Sequence, residues 1–113
     1  QPTSAEGYLS FGQLLQQKGD AAGAAAAFAE AERLNRKKAD AQAATFAVGV
    51  GLERRKAGDL DGAIERFREA VRLAPDHPEA HYQLALALQA RGALAEARTH
   101  FEEARRLAPH LRP

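Results

Sequence analysis

The sequence contains no cysteine, no methionine and no tryptophan, and it has only two tyrosines. Without cysteine the chain forms no disulfide and no thiolate, so thiol catalysis and thiolate metal sites are excluded. It has no run of about 18 apolar residues, which excludes a membrane-spanning helix. Neither sign of charge is in excess, because 16 lysines and arginines balance 15 aspartates and glutamates. This balance argues against a dedicated nucleic-acid-binding protein, which usually presents a basic surface.

The first residues give few indications of the compartment. They have neither a basic start nor an apolar stretch, so we expect no signal peptide. Residue 1 is not methionine, which leads us to expect a processed product or a piece excised from a longer protein. A cysteine-free chain suits the cytosol and the periplasm equally, so the localisation stays open.

What the sequence does contain is the motif F-x-E-A-x-R-L, which occurs three times, beginning at Phe28, Phe67 and Phe101. A glycine stands nine residues before each phenylalanine, and an alanine stands five residues after each glycine. The last two copies are 34 residues apart, whereas the first two are 39 residues apart. Similarity at a fixed period predicts stacked copies of one supersecondary unit. Such stacks form binding surfaces more often than active sites.

Helix start and stop signals predict six helices, two for each copy of the motif. Glycines at 19, 58 and 92 end the first helix of each copy. Asp20 and Asp59 are the predicted N-caps of the helices that follow the first two glycines. The five surplus residues of the first copy lie within residues 35–43, where no proline ends the second helix. We therefore predict a lengthened third helix that begins near Asp40.

The three copies resemble the tetratricopeptide repeat, a helix–turn–helix with the pattern W-x2-L-G-x2-Y, then A-x3-F, then proline. The first copy departs from it at Arg36, which takes the place of the proline, and the second at Ala47, which takes the place of the tryptophan. The resemblance implies an all-α, right-handed superhelical stack in a single domain covering residues 1–113, with repeats at about 5–38, 39–77 and 78–111. The third copy matches most fully, through His81, Leu84, Ala85, Leu88, Ala97, Phe101 and Pro109.

In the family that this chain resembles, the first helix of each repeat lines a concave groove that grips peptides or extended protein segments. We expect the apolar candidates in this groove, Leu9, Val48, Leu52, Tyr82 and Leu86, to form a strip. Arg55 and Lys56 are expected to hold a carboxylate or phosphate. Two alternatives are packing between helices for Leu52 and Leu86, and a solvated helix end for the two cations. The clamp for a C-terminal carboxylate known in the family is not matched, so a receptor for chaperone tails is not expected. The candidate groove residues are Leu9, Gln13, Gln16, Val48, Leu52, Arg55, Lys56, Tyr82, Leu86 and Gln89.

Nothing in the sequence predicts an enzyme, a metal or a cofactor. His77 and His81 have the i, i+4 spacing of a helical metal chelate, but Pro78 between them places His77 ahead of the helix and no third ligand is evident. No serine or threonine has an evident base and orienting acid. We therefore expect a non-enzymatic module whose partner is a protein or peptide.

A second hypothesis concerns the end of the repeat array. Only four residues follow Pro109, whereas repeat arrays normally end in a polar cap. The outer side of the last helix, with Leu94 and Leu107, is expected to be exposed or covered by another chain. The alternative function is therefore a structural module that self-assembles through uncapped terminal repeats. A third hypothesis is an accessory domain of a longer enzyme.

Overall fold

The computed structural model describes residues 2–110, and within them every regular element is an α-helix. The helices are α1 (Ala5–Gln17), α2 (Ala21–Lys56), α3 (Leu60–Leu73), α4 (Pro78–Arg91) and α5 (Leu94–Leu107). The prediction of an all-α helical-repeat fold is thus confirmed.

Short glycine turns reverse the chain after α1, α2 and α4, as predicted. Gly19, Gly58 and Gly92 have φ angles of 85°, 88° and 92°, which lie in the left-handed region that glycine adopts without steric cost. Asp20 and Asp59 follow the first two turns, and the carboxylate of each accepts a hydrogen bond from a backbone N–H three residues later, at 2.9 Å in both cases. These caps satisfy amide groups that the first helical turn leaves without a partner. The aspartate caps explain why the second helix of each of these repeats starts directly after its turn.

The prediction of six helices is wrong, because the second and third predicted helices form one continuous helix, α2. This helix has 36 residues. Asp40 lies inside it instead of capping a new helix. Residues 35–43 contain neither proline nor glycine, and the lysines, arginine and alanines among them are strong helix formers. Residues 35–43 therefore form helix where a turn between two helices was predicted.

The chain divides into two compact units, Gln1–Ala39 and Asp40–Pro113. Unit 1 is a helical hairpin of α1 and the first part of α2. Its core is made of small residues, and an added Cβ at Gly12 would lie 2.6 Å from Cε1 of Phe28. Glycine at this place therefore lets the backbone of α1 approach the Phe28 ring.

Unit 2 contains the last part of α2 together with α3, α4 and α5. Alanines fill most of its core, and its largest fully buried side chains are Phe67, Leu84 and Leu88. An added Cβ at Gly51 would lie 2.4 Å from Cε1 of Phe67, so the glycine–phenylalanine contact of unit 1 recurs here. The recurrence shows that the sequence repeat is also a packing repeat.

Ion pairs on the surface of unit 2 connect its helices. Arg91 of α4 pairs with Asp61 of α3, and Arg68 of α3 pairs with Glu96 of α5. The Arg68 guanidinium lowers the pKa of Glu96. Both pairs are exposed, so each contributes little to stability on its own.

Candidate functional site

The first helices of the second and third repeats lie side by side in unit 2 and run in the same direction. Thr45 Oγ1 of α2 lies 3.1 Å from Nε2 of His77, the N-cap of α4. Further toward the C-terminal end of both helices, Nη1 of Arg55 donates to Oε1 of Gln83 at 3.2 Å. The residue numbers increase from the first contact to the second on both helices, which shows that the helices run parallel. The surface between α2 and α4 is therefore built by two parallel helices.

The predicted groove residues of α2 are partly surface and partly core. Leu52 is 39% exposed, and Arg55 and Lys56 are exposed at the end of the helix. Val48 is only 5% exposed, so it belongs to the core beneath the surface and offers little area to a ligand. Sequence spacing alone could not separate Val48 from Leu52, since both positions lie on the same side of the helix.

The predicted groove residues of α4 follow the same i, i+4, i+7 spacing on one side of their helix. Tyr82 and Leu86 are half-buried against the core, and Gln89 is exposed. The rings of Tyr82 and Phe101 meet in an edge-to-face arrangement, with centroids 5.9 Å apart. Tyr82 is thus held in place by α5, while Leu86 lies one turn further along α4.

The remaining predicted residues, Leu9, Gln13 and Gln16, lie on α1 in unit 1. All three are exposed, and Leu9 has 42% of its surface open to solvent. They lie on one side of α1, because their spacing is again i, i+4, i+7. Each unit therefore carries its own share of the predicted residues.

A chain of hydrogen bonds crosses the surface of unit 2 and orders its charges. Arg55 donates to Gln83, and Nε2 of Gln83 donates to Oε2 of Glu79 at 2.7 Å. The bond to Gln83 uses one of the five N–H donors of the guanidinium. Arg55 and Lys56 lie at the C-terminal end of their helix, and Glu79 lies in the first turn of α4. The surface is thus cationic at one end and anionic at the other.

Sequence reasoning missed the most exposed aromatic side chain of the described residues. Phe46 of α2 is 74% exposed. The sequence indicates Phe46 only through comparison with the third copy, where Ala80 occupies the same place 34 residues later. A large apolar residue replaces a small one there, which a pattern built on shared residues does not detect.

His81 of α4 and His100 of α5 form a packed pair. His81 is 6% exposed, and its Nε2 lies 2.7 Å from the carbonyl oxygen of Pro75. Nε2 therefore carries a proton, and Nδ1 of His81 and Nδ1 of His100 share a hydrogen bond at 3.0 Å. Across residues 2–110 no three histidine, cysteine or acidic side chains are grouped to hold a metal ion.

The His81–His100 pair predicts a loss of stability in mild acid. Burial and then the neighbouring His81 lower the pKa of His100, an effect that Arg68 reinforces and that Glu96 and Glu103 oppose. The unfolded chain therefore takes up a proton at a pH where folded His100 does not, and stability falls as the pH drops below about 6.5.

Denaturant unfolding of the wild-type chain and of His100→Gln, at about pH 7 and about pH 5.5, measures this effect. We expect the wild type to lose more stability between the two pH values than His100→Gln, whose amide can either donate or accept the same hydrogen bond. Equal losses in both chains would contradict the assignment. The lowered carboxyl pKa values of Glu30, Glu96 and Glu103 act at more acidic pH.

Comparisons with known proteins agree with the helix pairs, the glycine turns and the glycine–phenylalanine contacts described above. Profiles of the tetratricopeptide repeat match residues 5–38 and 78–111, and a further repeat profile matches residues 51–92. The chain is thus a helical-repeat protein of the class that serves in protein interactions and scaffolds. It belongs to the tetratricopeptide repeat family, whose fold is a non-enzymatic interaction fold.

Solved structures show the same similarity. Two crystal structures of the protein MamA resemble this chain, at 26% and 25% identity with TM-scores of 0.56 and 0.53. They cover 95% and 98% of this chain, which spans 60% and 61% of their length. Among curated proteins none matches the chain. Within the described residues no helix is both long and apolar enough to cross a membrane.

Proposed function

We propose that this chain binds an extended peptide or protein segment on the surface between α2 and α4, in the groove predicted from the sequence. The observation that carries the proposal is the parallel pair of first helices, one of which presents Leu52 and the other half-buried Tyr82 and Leu86. Partly exposed apolar side chains flanked by polar ones are typical of protein interaction sites. No catalytic or cofactor role is part of the proposal, and neither is nucleic-acid binding.

The charges of the surface define the chemistry of the segment. Arg55 and Lys56 at one end favour a carboxylate or phosphate on the ligand, because hydrogen bonds between ionised groups are the stronger ones. Glu79 at the other end favours a cationic group. The groove is therefore complementary to a segment with one or two apolar side chains, an anionic group on one side of them and a cationic group on the other.

A peptide selection tests this function. Peptides selected from a random library on the immobilised wild-type chain are expected to combine apolar residues with an acidic and a basic residue. Their affinity for Tyr82→Ala/Leu86→Ala should fall at least about tenfold, since two apolar contacts of about 1 kcal/mol or more each are removed. Fluorescence anisotropy with a selected peptide gives the dissociation constants.

Two further variants separate lost binding from lost folding. Leu52→Ala changes an exposed side chain and should weaken the same peptide without lowering the melting temperature. Leu94→Ala, on the N-terminal turn of α5, is the matched control and should leave affinity unchanged. If selected peptides bind both groove variants as tightly as the wild type, the groove is not the binding surface.

A second candidate function is self-assembly through the last repeat. Leu94 is 63% exposed, and it borders a hollow of about 530 Å³ on the outer side of α5 that Ala97 and Phe101 also line. A helix of another copy could cover this hollow. Light scattering separates the two candidates, because Leu94→Glu would shift an assembled chain toward monomer and would not affect peptide binding.

A further inference from the structure

The second helices of the second and third repeats, α3 and α5, border a hollow of about 230 Å³ in unit 2. Val71 and Leu84 form its apolar part, and Arg68, Arg72 and His100 form its polar part. Leu84 is 1% exposed and Val71 packs against the core, so the apolar part of the hollow is the outer surface of the core. The hollow therefore combines an apolar wall with three side chains that carry nitrogen donors.

Arg72 brings unused hydrogen-bond donors to this hollow. Among residues 2–110 its guanidinium has neither a hydrogen-bond partner nor an ion-pair partner, so its five N–H groups are available to a ligand. Arg68 lies four residues earlier on α3, and this spacing places both arginines on the same side of the helix. The α3 wall of the hollow thus carries two positive charges.

Arg68 is only partly occupied by its ion pair. Its Nη1 and Nη2 donate to the two carboxylate oxygens of Glu96, which leaves three of the five N–H groups of the guanidinium. Glu96 offsets one of the two arginine charges, and Glu103, which also acts on His100, is paired with Arg106. The side chains around the hollow therefore keep an excess of positive charge.

His100 has one ring nitrogen without a partner. Its Nδ1 shares a hydrogen bond with Nδ1 of His81, whose Nε2 bonds the carbonyl oxygen of Pro75. In the described part of the chain no buried side-chain nitrogen or oxygen lacks a hydrogen bond, so Nε2 of His100, which makes none, is open to solvent. Because His100 lines the hollow, Nε2 becomes a third donor there when the ring is protonated.

A negative charge in the hollow would favour the protonated form of His100. Burial and then His81 lower the pKa of His100, whereas a bound anion would raise it. A protonated His100 donates from Nε2 to the anion and from Nδ1 to His81, which accepts because its own proton is on Nε2. By linkage, the affinity for the anion rises as the pH falls. The titratable and charged groups that act on His100 or share its hollow are His81 of α4, Arg68 and Arg72 of α3, and Glu96 and Glu103 of α5.

We propose that this hollow binds a phosphate group, held by Arg68 and Arg72 of α3 and by protonated His100 of α5. A phosphate group presents three acceptor oxygens, which suits donors on three side chains, whereas a carboxylate has two oxygens. Guanidinium groups recognise phosphate oxygens through paired N–H donors. The apolar wall keeps water from one side of the anion and strengthens these hydrogen bonds. The site lies on second helices and is separate from the peptide groove of α2 and α4.

Titration of the wild-type chain with sodium sulfate, followed by NMR, tests for the site. Sulfate has the shape of phosphate and keeps its double charge between neutral and mildly acidic pH, so any pH dependence comes from the protein. We expect saturable shifts for Arg72 and His100, and a pKa of His100 that rises when sulfate is added. Sodium chloride at equal ionic strength is the control for screening. An unchanged pKa of His100, or shifts that chloride reproduces, would overturn the proposal.

The pH dependence of the affinity identifies the role of His100. Sulfate affinity of the wild type should be at least about threefold higher at about pH 5.5 than at about pH 7.5, because the protonated ring adds a charged donor. His100→Gln, whose amide has no such charge change, should show a smaller ratio. Equal ratios for the two chains would remove His100 from the site and contradict the assignment.

Substitutions of opposite expected effect test the two arginines. Arg72→Gln should lower sulfate affinity at least about tenfold through the loss of charge-assisted hydrogen bonds. Glu96→Gln should raise it, because the carboxylate that competes for Arg68 becomes a neutral amide. Arg98→Gln is the matched control, since it removes the same charge from an exposed arginine on α5 that borders the other hollow. It should change affinity by no more than about twofold, because distant exposed charges are screened.

Equal losses from Arg72→Gln and Arg98→Gln would mean that sulfate responds only to the net charge of the chain, which overturns the site. Arg72, Glu96 and Arg98 lie at the surface, so unchanged melting temperatures are expected to show that all three variants fold.

A short peptide with one phosphoserine, compared with inorganic phosphate, distinguishes two sources of the phosphate group. Tighter binding of the peptide than of inorganic phosphate, lost in Arg72→Gln and in the unphosphorylated peptide, supports a phosphorylated protein segment as the ligand. Equal binding of the two, with the same loss in Arg72→Gln, supports free phosphate. Binding that Arg72→Gln leaves intact, or no binding of either probe, overturns the proposal.

Discussion

Replacement of Phe67 by alanine is expected to lower the free energy of unfolding of unit 2 by about 3–5 kcal/mol, the range for removal of a buried aromatic ring. Phe67 is 0% exposed and is among the largest fully buried side chains of the described residues. Its ring lies against Gly51 of α2, so the loss opens a cavity between the two helices of the second repeat. Denaturant unfolding followed by circular dichroism measures the change.

The matched control for this prediction is Phe46→Ala, which removes the same side chain from a position that is 74% exposed. At a protein concentration where light scattering gives the monomer mass, it should change stability by no more than about 0.5 kcal/mol. Comparable losses from the two substitutions would mean that Phe67 is not the centre of the core. The comparison separates burial from residue type, since both variants lose one benzyl group.

The parts of the fold that the sequence predicted correctly depend on short-range chemistry. Gly19, Gly58 and Gly92 end helices because their left-handed φ angles suit glycine. Asp20 and Asp59 cap the following helices through a carboxylate that reaches an amide only three residues away. Neither effect needs information from the rest of the chain, so the pattern alone sufficed.

The continuity of α2 could not be predicted in the same way. Asp40 is a good N-cap only if the residue ahead of it leaves the helix, and nothing in residues 35–39 forces the chain to leave. With the proline of the repeat replaced by Arg36, helix propensity continues across the boundary. The helix α2 continues because no residue ends it before Asp40. A prediction based on helix start signals does not detect that absence.

The sequence predicted which residues lie on the groove side of each helix, but it did not predict how exposed each of them is. The i, i+4 spacing placed Val48 and Leu52 together, but one is 5% and the other 39% exposed. The difference depends on how closely α3 and α4 approach α2, which is a tertiary property. For the same reason the exposure of Phe46 could not be predicted from its place in the repeat.

The second large effect is expected at Gly51, where valine should lower the free energy of unfolding by about 1–3 kcal/mol through overpacking. A Cβ there would lie 2.4 Å from Cε1 of the Phe67 ring, which is inside van der Waals contact, so the ring or the helix must shift. Gly49→Val is the matched control two residues away, where an added Cβ meets nothing within 4 Å. It should be neutral or slightly stabilising, because valine is a better helix former than glycine.

A double-mutant cycle connects the two large effects and identifies their common cause. If the cost of Gly51→Val comes from the Phe67 ring, valine should be tolerated once the ring is gone, because the cavity left by Phe67→Ala accommodates its methyl groups. The double variant should then be about 1–3 kcal/mol more stable than the sum of the single changes predicts. Additive losses would place the strain in the backbone of α2 instead. A favourable coupling would show that the repeated glycine keeps α2 and α3 at the separation that the buried phenylalanine requires.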